Sequence, residues 1–340
     1  RNCMKYICFW ACILPMILCS GCSSPHFKEI SLNDAELGLC SFREFDLDST
    51  NILYPRGLFY FDHHLILVEV KNNPTLSFWT SDSLKYEFSS GYIGGGPNEL
   101  IRPRADYFTS SDSSFFILDS DIEREIKIEN RGICILNNIP IAVSDAINQL
   151  VRLDHGHYIM SGKTDGASGK EHFIYSKGEF TPFGDYPSTN LEKMEQAKFD
   201  YKFTAGKMGK KVILDFYLYH NLIRKYSIKG ELLQEIRLQD IPDRHNTYEK
   251  FREQSVYPYW RKTVATDDAI YVLFYQGVTE KVIYSEGAIP ELQVWDWEGK
   301  LKKRFLFDKI YDNFTVSPDG RLYALNTQEP YKIYTYEVGK

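Results

Sequence analysis

Six short apolar runs, each directly after a tight polar turn, recur along the chain: Leu65–Val70, Phe115–Leu118, Tyr158–Ser161, Val212–Phe216, Ile270–Phe274 and Leu322–Leu325. They begin at residues 65, 115, 158, 212, 270 and 322, so successive copies lie 50, 43, 54, 58 and 52 residues apart. Each is rich in β-branched and aromatic residues and follows a turn such as Asp62-His63-His64 or Asp267-Asp268, the pattern of a hairpin's second strand. A recurring unit of that size, holding several strands, has the period of propeller blades.

Each copy expands into neighbouring strands. Blade one reads Gly57–Phe61, Leu65–Val70, Leu76–Trp79 and Lys85–Phe88, and blade five reads Thr263-Val264, Ile270–Phe274, Leu292–Trp297 and Leu301–Phe305. Blade six has Phe314–Val316, Leu322–Leu325 and Ile333–Tyr336 and is one strand short, while Leu37–Phe42 stands spare near the N-terminus. A ring that borrows that strand leaves no unpaired edge at its seam. The expectation is an all-β, six-bladed β-propeller of four-stranded antiparallel blades over residues 35–340, closed by an N-terminal strand. Two β-sandwich domains are the alternative.

The 340 residues, 43% of them hydrophobic, suffice for one closed all-β domain. Asp and Glu outnumber Lys and Arg by 46 to 40, which argues against a nucleic-acid partner. Four of the seven cysteines (Cys3, Cys8, Cys12 and Cys19) precede Cys22, so no disulfide framework is present. Cys40 and Cys134 read as small buried side chains, with a disulfide between them left open. Met4-Lys5 and the 13-residue apolar stretch Tyr6–Leu18 form a signal peptide over residues 4–21, too short to span a bilayer. Cys19-Ser20-Gly21-Cys22 resembles a bacterial lipobox, with Cys19 where leucine is usual. The resemblance makes Cys22 the lipidated residue and the anchor to the membrane, followed by a tether over residues 22–34. By the same resemblance, Ser23 implies the outer membrane, and His26-Phe27-Lys28-Glu29 lacks the acidic cluster of surface display, which favours the periplasmic side.

Gly91-Tyr92-Ile93-Gly94-Gly95-Gly96-Pro97-Asn98-Glu99-Leu100, after the first blade, resembles the glycine-rich segment of the TolB-like six-bladed propeller lipoproteins of Bacteroidota. Lipobox, short tether and six blades match that plan. The resemblance implies a fold and an address, and carries no activity with it. The glycines themselves read as a cramped connection with positive φ, and Glu99 as a capping acceptor.

Strand order puts the short turns on one face and the long connections on the other. The long ones are 89–104, 137–148, 162–170, 181–199, 239–261 and 275–290. Thr189-x-x-Glu192 has the form of a capping box, and Asn246–Gln254 has helical composition. The candidate binding residues of this face are Asn98, Glu99, Arg102 and Arg104 from one connection, and Arg244, His245, Tyr257, Tyr259, Trp260 and Arg261 from another. Aromatic and arginine side chains together suit a protein, peptide or glycan partner. No catalytic motif, cofactor fingerprint or metal-binding signature occurs, so a non-catalytic binding or assembly lipoprotein is the first reading. The alternative is a metal-dependent propeller hydrolase or lactonase drawing on Glu99, Asn98, Asp106, Asp312 and Asn313 at the channel mouth.

Overall fold

The computed structural model describes residues 26–339 apart from 39–40, 70, 142–146, 163–168, 189, 242–243, 245 and 286–287. The expected signal peptide, Cys22 and Cys40 lie outside the described residues. Six antiparallel sheets follow one another as blades, and the first strands of successive blades pack side by side around a central channel. These inner strands are Gly57–Phe61, Pro103–Ser110, Ile147–Asp154, Lys202–Lys207, Trp260–Ala265 and Asn313–Val316. The predicted second-strand runs each lie beside them in the ladder.

The blades adhere through one apolar cluster per interface. Between blades one and two Phe59, Phe61, Phe115 and Ile117 interlock, and between blades four and five Phe216, Trp260, Trp295 and Val272 do so. At the seam Leu58, Leu65 and Trp79 of blade one meet Tyr323, Leu325 and Ile333 of blade six, so the ring closes on the same kind of contact. The blade three–four interface is the poorest in apolar side chains, with Ile159, Phe183, Ile213 and Tyr226 at its centre. It compensates with a buried ionic network. The Glu171 carboxylate accepts from Lys202 Nζ at 2.7 Å and from the hydroxyls of Tyr217 and Tyr226 at 2.8 Å. Asp215 meets His172 Nε2 at 2.7 Å and accepts from Thr204 Oγ1 at 2.7 Å.

The N-terminal segment departs from the expectation in detail. Blade six is completed by Arg43–Asp46, antiparallel to Lys332–Glu337, and not by Leu37–Phe42. The described part of the expected tether is packed on the ring as well. His26–Ile30 adds a fifth, parallel strand to the rim of blade four, and Glu36–Gly38 adds one to blade five. The loop between them is held by Asp240, which accepts from Ser31 Oγ and the Leu32 amide, both at 2.6 Å. These partners satisfy backbone edges that would otherwise stay open. Three short helices occupy long connections: α1 (Lys193–Phe199), α2 (Tyr248–Arg252) and α3 (Glu280–Ser285). Helix α1 starts behind Glu192, whose side chain makes no capping bond, and Thr189 of the expected capping box lies outside the described residues. Helix α2 is capped by Thr247, whose side chain accepts from the Lys250 amide.

Candidate ligand site at the mouth of the central channel

Each inner strand enters the ring from a long connection, so the first residues of these strands surround the channel mouth on the long-loop face. Regular strand pairing would turn every second side chain there into a blade interface. Bulges at the starts of the inner strands of blades two, three and five break that rule, and those of blades two and five involve charged residues. In blade two the ladder skips from Pro103 paired with Asp119 to Phe108 paired with Ile117, which frees residues 104–107 from the ladder. In blade five Arg261 pairs with Leu273 and Thr263 with Val272, leaving Lys262 between them with a φ of +57°. A lysine held in the left-handed region stores strain, and bulges of this kind re-aim side chains at sites.

The re-aimed groups carry charge. Arg104 grips Asp106 with two bonds, Nε to Oδ1 at 2.9 Å and Nη2 to Oδ2 at 2.6 Å. Burial alone would raise the Asp106 carboxyl, but Arg104 outweighs it and holds the group below its ordinary value. Burial pulls the Lys262 ammonium below the ordinary lysine value, and the carboxylates of Asp106 and Asp312 only partly restore it. Tyr201, at the entry to blade four, is raised by burial and hydrogen-bonds Gln149 of blade three; Arg104, Asp106 and Arg261 all act on it. Gln149 in turn accepts from the Thr204 amide at 2.8 Å, which fixes its carbonyl. On the blade six side, Asp312 is committed to the Thr327 amide at 3.3 Å, and the Asn313 amide group donates to the Arg56 carbonyl at 3.1 Å. The Asn313 Oδ1 atom is buried with no hydrogen-bond partner among the described residues.

Blades two to six therefore supply one polar ring, in which Lys262 has no ion-pair partner among the described residues. Titratable groups whose burial and charge partners shift them together in one place mark functional sites more often than chance. Of the predicted residues, Arg104 and Arg261 belong to this ring, as do Asp106, Asp312 and Asn313. Asn98 and Glu99 do not. Asn98 Oδ1 accepts from the Ile135 amide at 2.9 Å, and Glu99 accepts from the Gly96 amide at 2.6 Å inside its own glycine loop. A Cβ on Gly94 would lie 2.1 Å from that carboxylate, so a side chain there would displace Glu99 from its amide partner, while positive φ favours glycine at Gly91. Arg102 is exposed, its backbone amide bound to Asp119 at 2.6 Å. Arg244 stacks over half-buried Tyr257 at 4.9 Å, away from the ring, and His245 lies outside the described residues. Tyr259 and Trp260 are core residues at 3% and 0% exposure, a correction to their reading as surface anchors. Lys262, Tyr201 and Gln149 escaped the sequence reading because a bulge, which leaves no compositional trace, aims the first of them.

The family model described as TolB-like 6-blade propeller matches residues 41–319. The chain belongs to that family. Among solved structures, this TolB-like propeller is similar to a Bacteroides fragilis protein classed as exported, at a TM-score of 0.55 and 10% identity over 93% of this chain and 99% of that one. It is also similar to a DUF4221 family member from Bacteroides vulgatus, at a TM-score of 0.57 and 10% identity over 87% and 95% of the two chains. At such identity the likeness is one of fold. No curated protein matches the sequence.

Of the expected metal ligands, Asp106, Asp312 and Asn313 reach the mouth of this TolB-like propeller, where Asp106 is tied to Arg104 and Asp312 to Thr327, while Glu99 and Asn98 are tied into their own loop. Among the described residues, Glu171, His172 and Asp215 are close enough together to share an ion. All three are sealed between blades three and four, and Lys202, Thr204, Tyr217 and Tyr226 already occupy their carboxylates. That arrangement is a clamp between blades.

Proposed function

We propose that this TolB-like propeller is a non-catalytic binding lipoprotein of the outer membrane, anchored through lipidated Cys22, which holds a carboxylate-bearing ligand or partner group at the channel mouth of its long-loop face. One observation carries the reading: Lys262, half-buried and without an ion-pair partner among the described residues, is held in a strained bulge, with Arg104 and Arg261 in the same polar ring. Desolvating a cation lowers stability unless something repays it, and an incoming carboxylate does so by pairing with it. The export of the Bacteroides fragilis neighbour and the lipobox-like Cys19–Cys22 support the address. Cys22→Ala is expected to abolish acyl labelling and release the protein from membranes; unchanged labelling would remove the anchor.

The binding reading is tested by calorimetric titration of galacturonate oligosaccharides and short peptides with free C-termini into wild type and Lys262→Met. A ligand that binds the wild type is expected to lose roughly tenfold or more in affinity with Lys262→Met, the order of one charge-assisted hydrogen bond. The same variant should melt at an unchanged or higher temperature, because a poorly solvated charge has been removed. Full-affinity binding by Lys262→Met would place the ligand elsewhere.

A further inference from the structure

The same chain path that builds blade four also orients the molecule. Strand four of that blade, Leu232–Leu238, begins at the short-turn face and ends at the long-loop face. His26–Ile30 runs parallel to it, with His26 opposite Gln234 and Ile30 opposite Leu238. The chain therefore comes onto the rim at the short-turn end. Four residue steps separate His26 from Cys22, a reach of at most about 14 Å. Whatever holds Cys22 must lie close to that corner.

The corner has its own chemistry. The short turns of blades four and five present Lys210, Lys211, Lys229 and Lys300 as exposed side chains with no ion pair among the described residues. Acidic groups are there too, but Asp267 is paired with Lys207 and Glu298 with Lys225, which leaves Asp268, Glu231 and Asp296 as the negative charges without an ion pair among the described residues. The turns are neighbours in space, since the Ile228 amide donates to the Lys211 carbonyl at 3.2 Å and Gly299 packs on Ile236 and Gln234. On the adjoining rim Phe27 and Leu233 are 55% and 39% exposed. Exposed aromatic side chains beside lysines suit the headgroup region of a bilayer.

We infer that the short-turn corner of blades four and five lies against an anionic lipid surface, so that the long-loop face and its channel mouth point away from the membrane. This rests on Cys22 being the lipid anchor. It makes the ligand site accessible to soluble partners and inaccessible to the bilayer to which the protein is attached.

Lysine footprinting tests it without altering any residue of the corner. The lipidated protein is reconstituted on phosphatidylcholine–phosphatidylglycerol vesicles, acetylated with a water-soluble reagent and compared by mass spectrometry with the soluble Cys22→Ala protein. Lys210, Lys211, Lys229 and Lys300 are expected to be protected severalfold on vesicles, while Lys198 of α1 and Lys281 of α3, on the long-loop face, react as in solution. Protein that floats with the vesicles but shows protection at Lys198 and Lys281, or at no lysine, overturns the orientation and leaves the anchor standing. Protein that carries no acyl group and fails to float overturns the anchor and this orientation with it.

Discussion

At the scale of single residues, burial decides what composition leaves open. Trp260 sits in a sequence of aromatics and arginine that reads equally well as a contact surface, yet it is the first residue of an inner strand and is 0% exposed. Its Nε1 donates to Gln293 Oε1 at 2.9 Å, an oxygen that also receives Trp295 Nε1 at 3.1 Å. Trp260→Ala is therefore expected to cost about 3–5 kcal/mol, by the cavity it leaves, and a thermal melt within a few degrees of wild type would contradict that placement. Lys202→Met should cost about 3–5 kcal/mol as well, because it strands the Glu171 charge in the blade three–four interface. Burial pushes the Glu171 carboxyl up, but Lys202, His172 and Arg224 outweigh it and bring it to about 2. A group lowered on folding contributes stability that is present above the ordinary carboxylate value and is lost as pH falls toward the folded one. Acid unfolding of the wild type should thus include a component at that interface, and this component should be absent from the Lys202→Met titration. None of this was legible beforehand. Glu171 and His172 stand in an ordinary strand sequence, and only their neighbours across the ladder and from blade four make them partners.

At the scale of elements, the apolar runs were legible because a hairpin's second strand in a propeller is buried on both faces, as the uniformly buried Phe115–Asp119 and Ile270–Phe274 show. The closing strand was misplaced for the opposite reason. Arg43-Glu44-Phe45-Asp46 offers one apolar side chain, and its role is to give backbone partners to Lys332–Glu337, a contribution hydropathy does not report. The blade-two and blade-five bulges were illegible on the same ground, since a skipped ladder position changes direction and not composition. The closure can be separated from the outer additions. Removal of residues 26–38 takes two rim strands and should lower stability while leaving a cooperative two-state melt. Removal of residues 26–46 opens the seam between blades six and one and should abolish cooperative unfolding. Equal melts for the two truncations would show that Arg43–Asp46 does not close the ring.

At the scale of the whole molecule, six apolar interfaces hold a rigid ring whose inner strands all start at one mouth, where the strained bulge at Lys262 and the unpartnered Asn313 Oδ1 both lie. Stability is thus supplied by the rim and the blade interfaces, and in the proposed reading the channel mouth serves a ligand. The measurement that tests this most directly is an NMR titration of the reductively ¹³C-dimethylated lysines, a modification that keeps their charge, with the Lys262 signal assigned by its absence from Lys262→Met. The account predicts that this signal titrates below the ordinary lysine value, and that it shifts when a binding carboxylate ligand is added. A Lys262 signal that titrates at the ordinary lysine value and stays unmoved by a ligand that binds the protein would contradict it.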